Sequence, residues 1–298
     1  MRKYVLLAVL FSLVTMLAFC EQKEDKVVFI SGGTKGIGLE TAKVFSERGY
    51  SVWAVGRSVN DVLRDTYPNI HFLYMDITDS VSIDTAVYEV LSSEGHIDTL
   101  VNNAGYGLLG ADEAVTVAQA RAQFDVNFFG LLELTQKVLP SMRKEEKGHI
   151  INISSTSGVR AVPGLGLYAA SKFALEALSE SMAVTLSPFN IKVSVIEPGT
   201  VANGWAANCE IAKNVKKIDV YSKLATNLQA KLLELSAKNG QESREIALLI
   251  LSVANCKDPH LRYQTSKSVE KTVSHKLKDL TGDDLVSMQK SFLNALLD

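Results

Sequence analysis

Six short, mainly apolar runs recur along the chain, most of them followed by a stretch with helical spacing, and this rhythm narrows the possible folds more than any other feature. The runs are VVFIS (27–31), SVWAVG (51–56), IHFLYMD (70–76), DTLVNNAG (98–105), HIINISS (149–155) and IKVSVIEPG (191–199). They are short for helices, and they lack the strict apolar–polar alternation of a strand with one wet face. Strands covered on both faces read this way. Residues 36–48, 79–94, 117–144 and 166–187 carry helical spacing, with Asp79 or Ser80 placed to cap the second of these. Strand and helix in alternation mean βαβ units, whose right-handed crossovers place helices on both faces of a parallel sheet. The expected fold is α/β, a Rossmann-type doubly wound parallel sheet. No linker-like stretch interrupts residues 27–298, so one domain is expected there. Past Pro198 the pattern is less regular. Residues 222–238 and 283–297 read as amphipathic helices. In the latter, Leu285, Met288, Phe292, Leu293, Leu296 and Leu297 form a stripe expected to pack on the core, with membrane contact as its alternative use.

The N-terminus stands outside this rhythm. Arg2 and Lys3 precede the apolar run YVLLAVLFSLVTMLAFC, and the polar EQKEDK follows. Residues 1–20 therefore read as a signal peptide or a membrane anchor, and 21–26 as a polar linker. Ala18 and Cys20 offer cleavage after Cys20, and Leu17-Ala18-Phe19-Cys20 is similar to a site for lipid attachment at Cys20, with Phe19 large where such a site wants a small residue. The basic start followed by acidic residues places the remainder on the non-cytoplasmic side. A membrane-associated or exported protein is expected, in an endoplasmic-reticulum lumen or a bacterial envelope. Elsewhere the composition is that of an ordinary globule, 47% hydrophobic and 21% charged, with a net charge of −2. No basic surface is implied, so nucleic acid is not an expected partner. The three cysteines form no Cys-x-x-Cys pair and no HExxH occurs, so no metal site is expected.

SGGTKGIG (31–38) joins the first strand to the first helix. Gly32, Gly36 and Gly38 let the chain turn tightly and let the backbone approach a pyrophosphate, which the free N–H groups of the helix start would hold. Thr34, Lys35 and Ile37 complete this loop. Cofactor choice is read at the end of the second strand, where an acid would favour NAD and an arginine the 2′-phosphate of NADP. Arg57 stands there, and Lys35 adds a second positive charge. NADP is the expected cofactor.

YAASK (168–172) sets Tyr168 and Lys172 one helical turn apart, on one face. A free tyrosine, with a pKa of about 10, is a poor acid–base group near neutrality. A nearby ammonium and a nicotinamide's positive charge would pull that value down, and Lys172 supplies the first. Ser155, thirteen residues before Tyr168, could donate to a substrate oxygen.

SGGTKGIG, NNAG (102–105), Asn127 in VNFFG, INISS (151–155), YAASK and EPG (197–199) stand in the order seen in short-chain dehydrogenases/reductases, which residues 27 to about 200 resemble throughout. PHLRYQTS (259–266) is similar to the subgroup containing 17β-type hydroxysteroid dehydrogenases and retinol dehydrogenases. The resemblance implies a catalytic set of Asn127, Ser155, Tyr168 and Lys172. Asn127 would kink its helix and hold a water in a proton relay, and Ser154 is the less favoured neighbour of Ser155. It further implies cofactor contacts from Asn103, Ala104 and Gly105, from Asp76 to the adenine, from Pro198, Gly199 and the Val201 backbone, and from Asn127, Tyr168 and Lys172. A threonine usual five residues past the proline is Asn203 here, which puts its nicotinamide contact in question. Helices near 117–144 and 166–187 would form the interface of a homodimer or homotetramer.

Residues 200–240 are expected to form a substrate lid, with Trp205, Ile211, Val215, Ile218, Tyr221 and Leu224 supplying apolar surface. The function expected is an NADP(H)-dependent oxidoreductase acting on a lipophilic alcohol or ketone, steroid- or retinoid-like. A non-catalytic NADP-binding sensor or scaffold is the alternative.

Overall fold

The computed structural model describes residues 26–221, 223–278 and 283–297. The expectations for residues 1–25, signal or anchor and most of the linker, lie outside them. From its N-terminal end the chain forms β1 (Val27–Ser31), α1 (Gly36–Ser46), β2 (Ser51–Gly56), α2 (Asp61–Thr66), β3 (His71–Tyr74), α3 (Ser80–Glu94) and β4 (Thr99–Asn102). A two-residue strand β5 (Leu108–Leu109) leads to α4 (Val117–Phe124) and, across a π-helical turn at Asp125–Phe129, to α5 (Gly130–Lys144). Then come β6 (Gly148–Ile153), α6 (Gly166–Thr185), β7 (Ile191–Glu197), β8 (Glu210–Ile211), α7 (Leu224–Asn239), α8 (Ser243–Ala254), β9 (Arg262–Gln264), α9 (Lys267–Lys278) and α10 (Asp283–Leu297).

Seven strands form one parallel sheet in the order β3-β2-β1-β4-β6-β7-β9, and β5 pairs with β8 apart from it. Successive side chains of a strand point to opposite faces, so β1 feeds two cores. Val27 and Phe29 pack with α3, α5 and α6, whereas Val28 and Ile30 pack with α1 and α8. That double burial is why these strands are apolar at nearly every position. Asp79 caps α3 as expected, accepting from the Val81 N–H at 3.1 Å. The third and fourth strands are shorter than their apolar runs, which continue into the loops that carry the site.

The stretch expected as one helix over 117–144 contains the π turn, centred on Asn127. A seventh strand, β9, was not expected, because Arg262-Tyr263-Gln264 is brief and polar; α8 and α9 were not singled out either. The last four members of the terminal stripe pack on the core, whereas Met288 is exposed. Leu296 is buried, and Phe292, Leu293 and Leu297 pack on a cluster with Leu224 and Leu228 of α7.

A buried polar line ties the layers that carry the site. Asn102 of β4 donates from Nδ2 to Thr135 Oγ1 on α5 at 2.8 Å and to Asn152 Oδ1 on β6 at 2.9 Å. Asn152 donates in turn to Ser179 Oγ on α6 at 2.8 Å. All four residues are at most 1% exposed. Unpairing a buried polar group costs about 1–3 kcal/mol. Asn152→Ala is expected to lower the unfolding free energy by about that much or somewhat more, since it strands two partners, as a fall in the urea midpoint at unchanged slope will show.

Candidate active site

Parallel strands place all their C-terminal ends along one edge of the sheet, and the loops leaving those ends line a single cleft of about 1190 Å³. At the first strand end, Gly32 has φ +64° and Gly36 φ +56°, conformations that glycine adopts without strain. A Cβ on Gly38 would lie 2.2 Å from the Gly32 carbonyl oxygen, so this glycine is required by close packing beneath the loop. Asn103 clamps the loop from below, donating from Nδ2 to the carbonyls of Ser31 and Gly32 at 3.0 Å each. The first turn of α1 has no side-chain cap and no acid. Its partial positive charge is thus open to an anion, and the exposed Lys35 and Arg57 stand on the same cleft wall. These features fit a nicotinamide dinucleotide, with its pyrophosphate on the α1 N-terminus.

The cleft also takes in Thr34, Ile37, Ala104, Gly105, Ser155, Tyr168, Lys172, and Pro198, Gly199, Val201 and Asn203 beyond β7. Gly38, Asp76 and Asn127 stand behind its wall. Asp76 accepts from the Thr78 N–H at 3.0 Å and hydroxyl at 2.8 Å. Burial works against its charge, but those bonds and the Arg57 guanidinium outweigh it and hold the carboxyl below its ordinary value. Its neighbours Met75, Ile77 and Thr78 stand on the cleft wall beside it. Asn203 stands over the glycine loop, its Nδ2 3.4 Å from where a Gly36 Cβ would be, and its Oδ1 accepts from the Trp205 N–H at 2.9 Å.

Asn127 is fully buried and acts as a bracket. Its Oδ1 accepts from the Tyr106 N–H, and its Nδ2 donates to the Tyr106 carbonyl, both at 3.0 Å. The same Nδ2 donates to Ser171 Oγ at 3.1 Å, and Ser171 donates to the Tyr168 carbonyl at 2.7 Å. Both amide hydrogens are therefore committed to holding the turn after β4 against α6. A π turn widens the helix locally and re-aims one side chain, which here brings Asn127 to this junction.

Tyr168 and Lys172 lie on the first turns of α6, both nearly inaccessible at 7% and 3% exposure. Burial pushes the Tyr168 hydroxyl up to about 12, against a hydrogen bond from Ser155 that favours ionisation. The lowering expected for this tyrosine is not what the polypeptide's own field produces. Burial likewise pushes the Lys172 ammonium down to about 8, partly offset by the Glu176 carboxylate. Lys172 Nζ donates to the Ile153 carbonyl at 2.8 Å, leaving further N–H groups for a ligand. The Trp205 ring stands 5.1 Å from the Tyr168 ring, tilted across it. Ser154 is turned toward Gly158 and Glu176, which leaves Ser155 as the serine beside Tyr168.

A charged cluster behind Lys172 was not visible in the sequence pattern. Glu176 lies one helical turn past Lys172 and is 5% exposed. Arg262 of β9 donates from Nε to Glu176 at 2.9 Å, ion-pairs with Glu180 at 2.7 Å and lies 3.5 Å from the fully buried Glu197. The i, i+4 spacing of Glu176 from Lys172 was the available signal. Of the six lid residues expected to supply apolar surface, Trp205 alone is on the cleft wall. Val215 and Leu224 are buried, and Ile211, Ile218 and Tyr221 pack beside them in the cluster behind. The apolar wall comes from Val162, Leu165, Leu228, Leu232, Leu235 and Phe292.

Fold, glycine loop and tyrosine–lysine pair define a dinucleotide-binding oxidoreductase. The family model described as short chain dehydrogenase matches residues 26–214, and the chain belongs to that family of oxidoreductases acting on CH–OH groups. It is 34% identical to a 3-ketodihydrosphingosine reductase of Bacteroides thetaiotaomicron over 247 residues, covering 83% of this chain and 90% of that one. It is also 34% identical to human retinol dehydrogenase 8 over 272 residues, 86% of each. A solved short-chain dehydrogenase from Streptomyces avermitilis superposes with a TM-score of 0.77 at 27% identity, covering 91% of this chain and 98% of that one.

The depressed Lys172 pKa has a stability consequence whose sign is fixed. The unfolded chain holds this proton up to its ordinary value of 10.5, and the folded chain releases it near 8. Below pH 8 the full penalty of a buried charge is present, on the order of 3 kcal/mol. Between pH 8 and 10.5 it is relieved, so stability rises with pH. Urea unfolding of the native protein and Lys172→Met at pH 7 and pH 9.5 is expected to show the native protein gaining on the variant at the higher pH.

Proposed function

We propose that the chain is an NADP(H)-dependent reductase that converts a lipophilic ketone or aldehyde to its alcohol, with Tyr168 as the proton donor. The observation that carries this reading is the contact of Ser155, Tyr168 and Lys172 on one cleft wall, with the open α1 N-terminus at the other end of the same cleft. Bound NADPH would supply the hydride. The polypeptide then needs to orient the carbonyl, stabilise its oxygen and deliver a proton there. Ser155 donates a hydrogen bond to that oxygen as charge develops on it. Tyr168, protonated at neutral pH, transfers its hydroxyl proton to the same oxygen. Lys172 lies 6.0 Å from the Tyr168 ring centroid, close enough for its charge to stabilise the tyrosinate that remains.

The preference for NADP(H) rests on Arg57 and Lys35 at one end of the cleft, and on β2 ending in Gly56 with no acid after it. The lipophilic substrate rests on the leucine-rich wall, and agrees with relatives named for retinol and for ketodihydrosphingosine. Membrane association through the N-terminal segment and a homodimer or homotetramer belong to the same proposal. The latter agrees with exposed Phe129 on the π turn and Phe173 on α6. Among the described residues no helix is long and apolar enough to cross a membrane.

Two measurements test this reading. Tyr168→Phe is expected to lower kcat for ketone reduction by about 10²- to 10⁴-fold while NADPH still binds; equal rates in the two proteins would favour a binding-only role. Arg57→Ala is expected to weaken NADPH binding about 10- to 100-fold, the worth of a charge-assisted contact, and to change NADH binding far less. Native protein that binds NADH as tightly as NADPH would refute the cofactor assignment.

A further inference from the structure

The charged groups on the cleft wall are accounted for, with one exception in the apolar half. Lys35 and Arg57 stand at the nucleotide end, and Lys172 is held by the Ile153 carbonyl. Glu210 accepts from Gln119 Nε2 at 2.6 Å, and Lys231 is ion-paired with Glu234 at 3.0 Å. Asp125 is exposed to solvent. Arg160 is different. It lies on the same wall as Val162, Leu165, Leu228 and Leu232, it is half-buried, and its Nε is buried with no hydrogen-bond partner among the described residues. Burial pushes its guanidinium below the ordinary value, and among the described residues no carboxylate forms an ion pair with it. Asp112, exposed and packed against Gly166 at the start of α6, forms no ion pair with Arg160.

The segment carrying Arg160 is well defined. The Arg160 N–H donates to the Thr156 carbonyl at 2.9 Å, the Leu165 N–H to Val162 at 3.0 Å, and the Gly110 N–H to Gly164 at 2.9 Å. The segment joins Ser155 to Tyr168, so it borders the place where a carbonyl would react. A half-buried guanidinium whose buried Nε has no partner among the described residues gains when an oxyanion meets it, and its planar fork matches a carboxylate in particular.

We propose that Arg160 forms a carboxylate-binding subsite in the apolar half of the cleft, and that the substrate is an amphipathic carbonyl compound with an apolar chain and a carboxylate group. This deepens the reading of a lipophilic carbonyl substrate and rests on it for the reaction, but the subsite itself is a matter of binding. A neutral lipid would leave the guanidinium unpaired, and a lipid amine would meet like charge.

Binding therefore tests it without turnover. Octanoate, octan-1-ol and octylamine are titrated calorimetrically into the full-length protein, into Arg160→Gln and into Arg160→Lys, with folding of each checked by its melting curve. Octanoate is expected to bind the native protein about 10- to 100-fold more tightly than the alcohol or the amine, the worth of a charge-assisted bidentate contact. Arg160→Gln is expected to remove that preference and Arg160→Lys to restore part of it. Octanoate binding no better than octanol, or not at all, overturns the subsite; so does a preference that survives Arg160→Gln. A protein that shows the preference yet oxidises no NADPH with any ketone would defeat the proposed reaction and leave the subsite standing.

Discussion

A buried ammonium organises this molecule's working end. Lys172 is almost wholly removed from water, and a charge so placed is tolerated only with partners of good geometry. The Ile153 carbonyl, freed where β6 ends, is one. The Glu176 carboxylate one turn along α6 favours the charge without an ion pair to it, but Glu176 is itself buried and feels the Glu197 carboxylate. Burial pushes both carboxyls up, and Arg262 opposes that shift. The requirement thus passes from α6 to the end of β7 and on to β9, whose three residues pair with Val195, Ile196 and Glu197. An edge strand of so little apolar content is explained by the cation it brings to these acids.

The parallel sheet explains how residues so far apart in sequence share one cleft. The glycine loop leaves β1, Arg57 leaves β2, Asn103 leaves β4, Ser155 leaves β6 and Pro198 leaves β7, each within two residues of its strand end. Ligands in open α/β sheets bind outside the carboxyl ends of strands for this reason. The loops contribute chemistry, and the helices contribute position. The polar line from Thr135 to Ser179 fixes α5 and α6 to the two central strands, while Asn127 fixes the π turn to α6 through Ser171. A lateral shift of α6 would disturb both sets of bonds before it moved Tyr168.

What the sequence made legible follows from the same physics. The six principal strands were readable because burial on both faces leaves an apolar signature. The glycine loop was readable because close packing at Gly38 and the positive φ at Gly32 and Gly36 demand glycine. Tyr168 and Lys172 were readable because helical spacing alone puts them on one face. What was not legible depends on contacts between distant segments. β9 is defined by charge pairing, with little apolar signature. Ile211, Val215, Ile218, Tyr221 and Leu224 pack in the cluster behind the wall, and which side a residue faces in an irregular segment has no period to reveal it. Arg160 carries no local pattern at all; that its Nε is buried without a partner among the described residues emerges only once the chain has folded.

For Tyr168, the charges of Lys172 and of a bound nicotinamide would lower the hydroxyl's value, and desolvation, which no sequence pattern displays, raises it. The two groups are displaced in opposite directions by one cause: burial disfavours tyrosinate and disfavours ammonium alike. At neutral pH the tyrosine is therefore fully protonated, and the lysine, near 8, is charged with little in reserve. Reduction of a carbonyl needs a protonated tyrosine at the start, whereas oxidation of an alcohol needs one that has already lost its proton. A cleft this dry around Tyr168 favours the hydroxyl over tyrosinate and the amine over ammonium, so the protonation of the pair is set as much by exclusion of water as by the charges that face it.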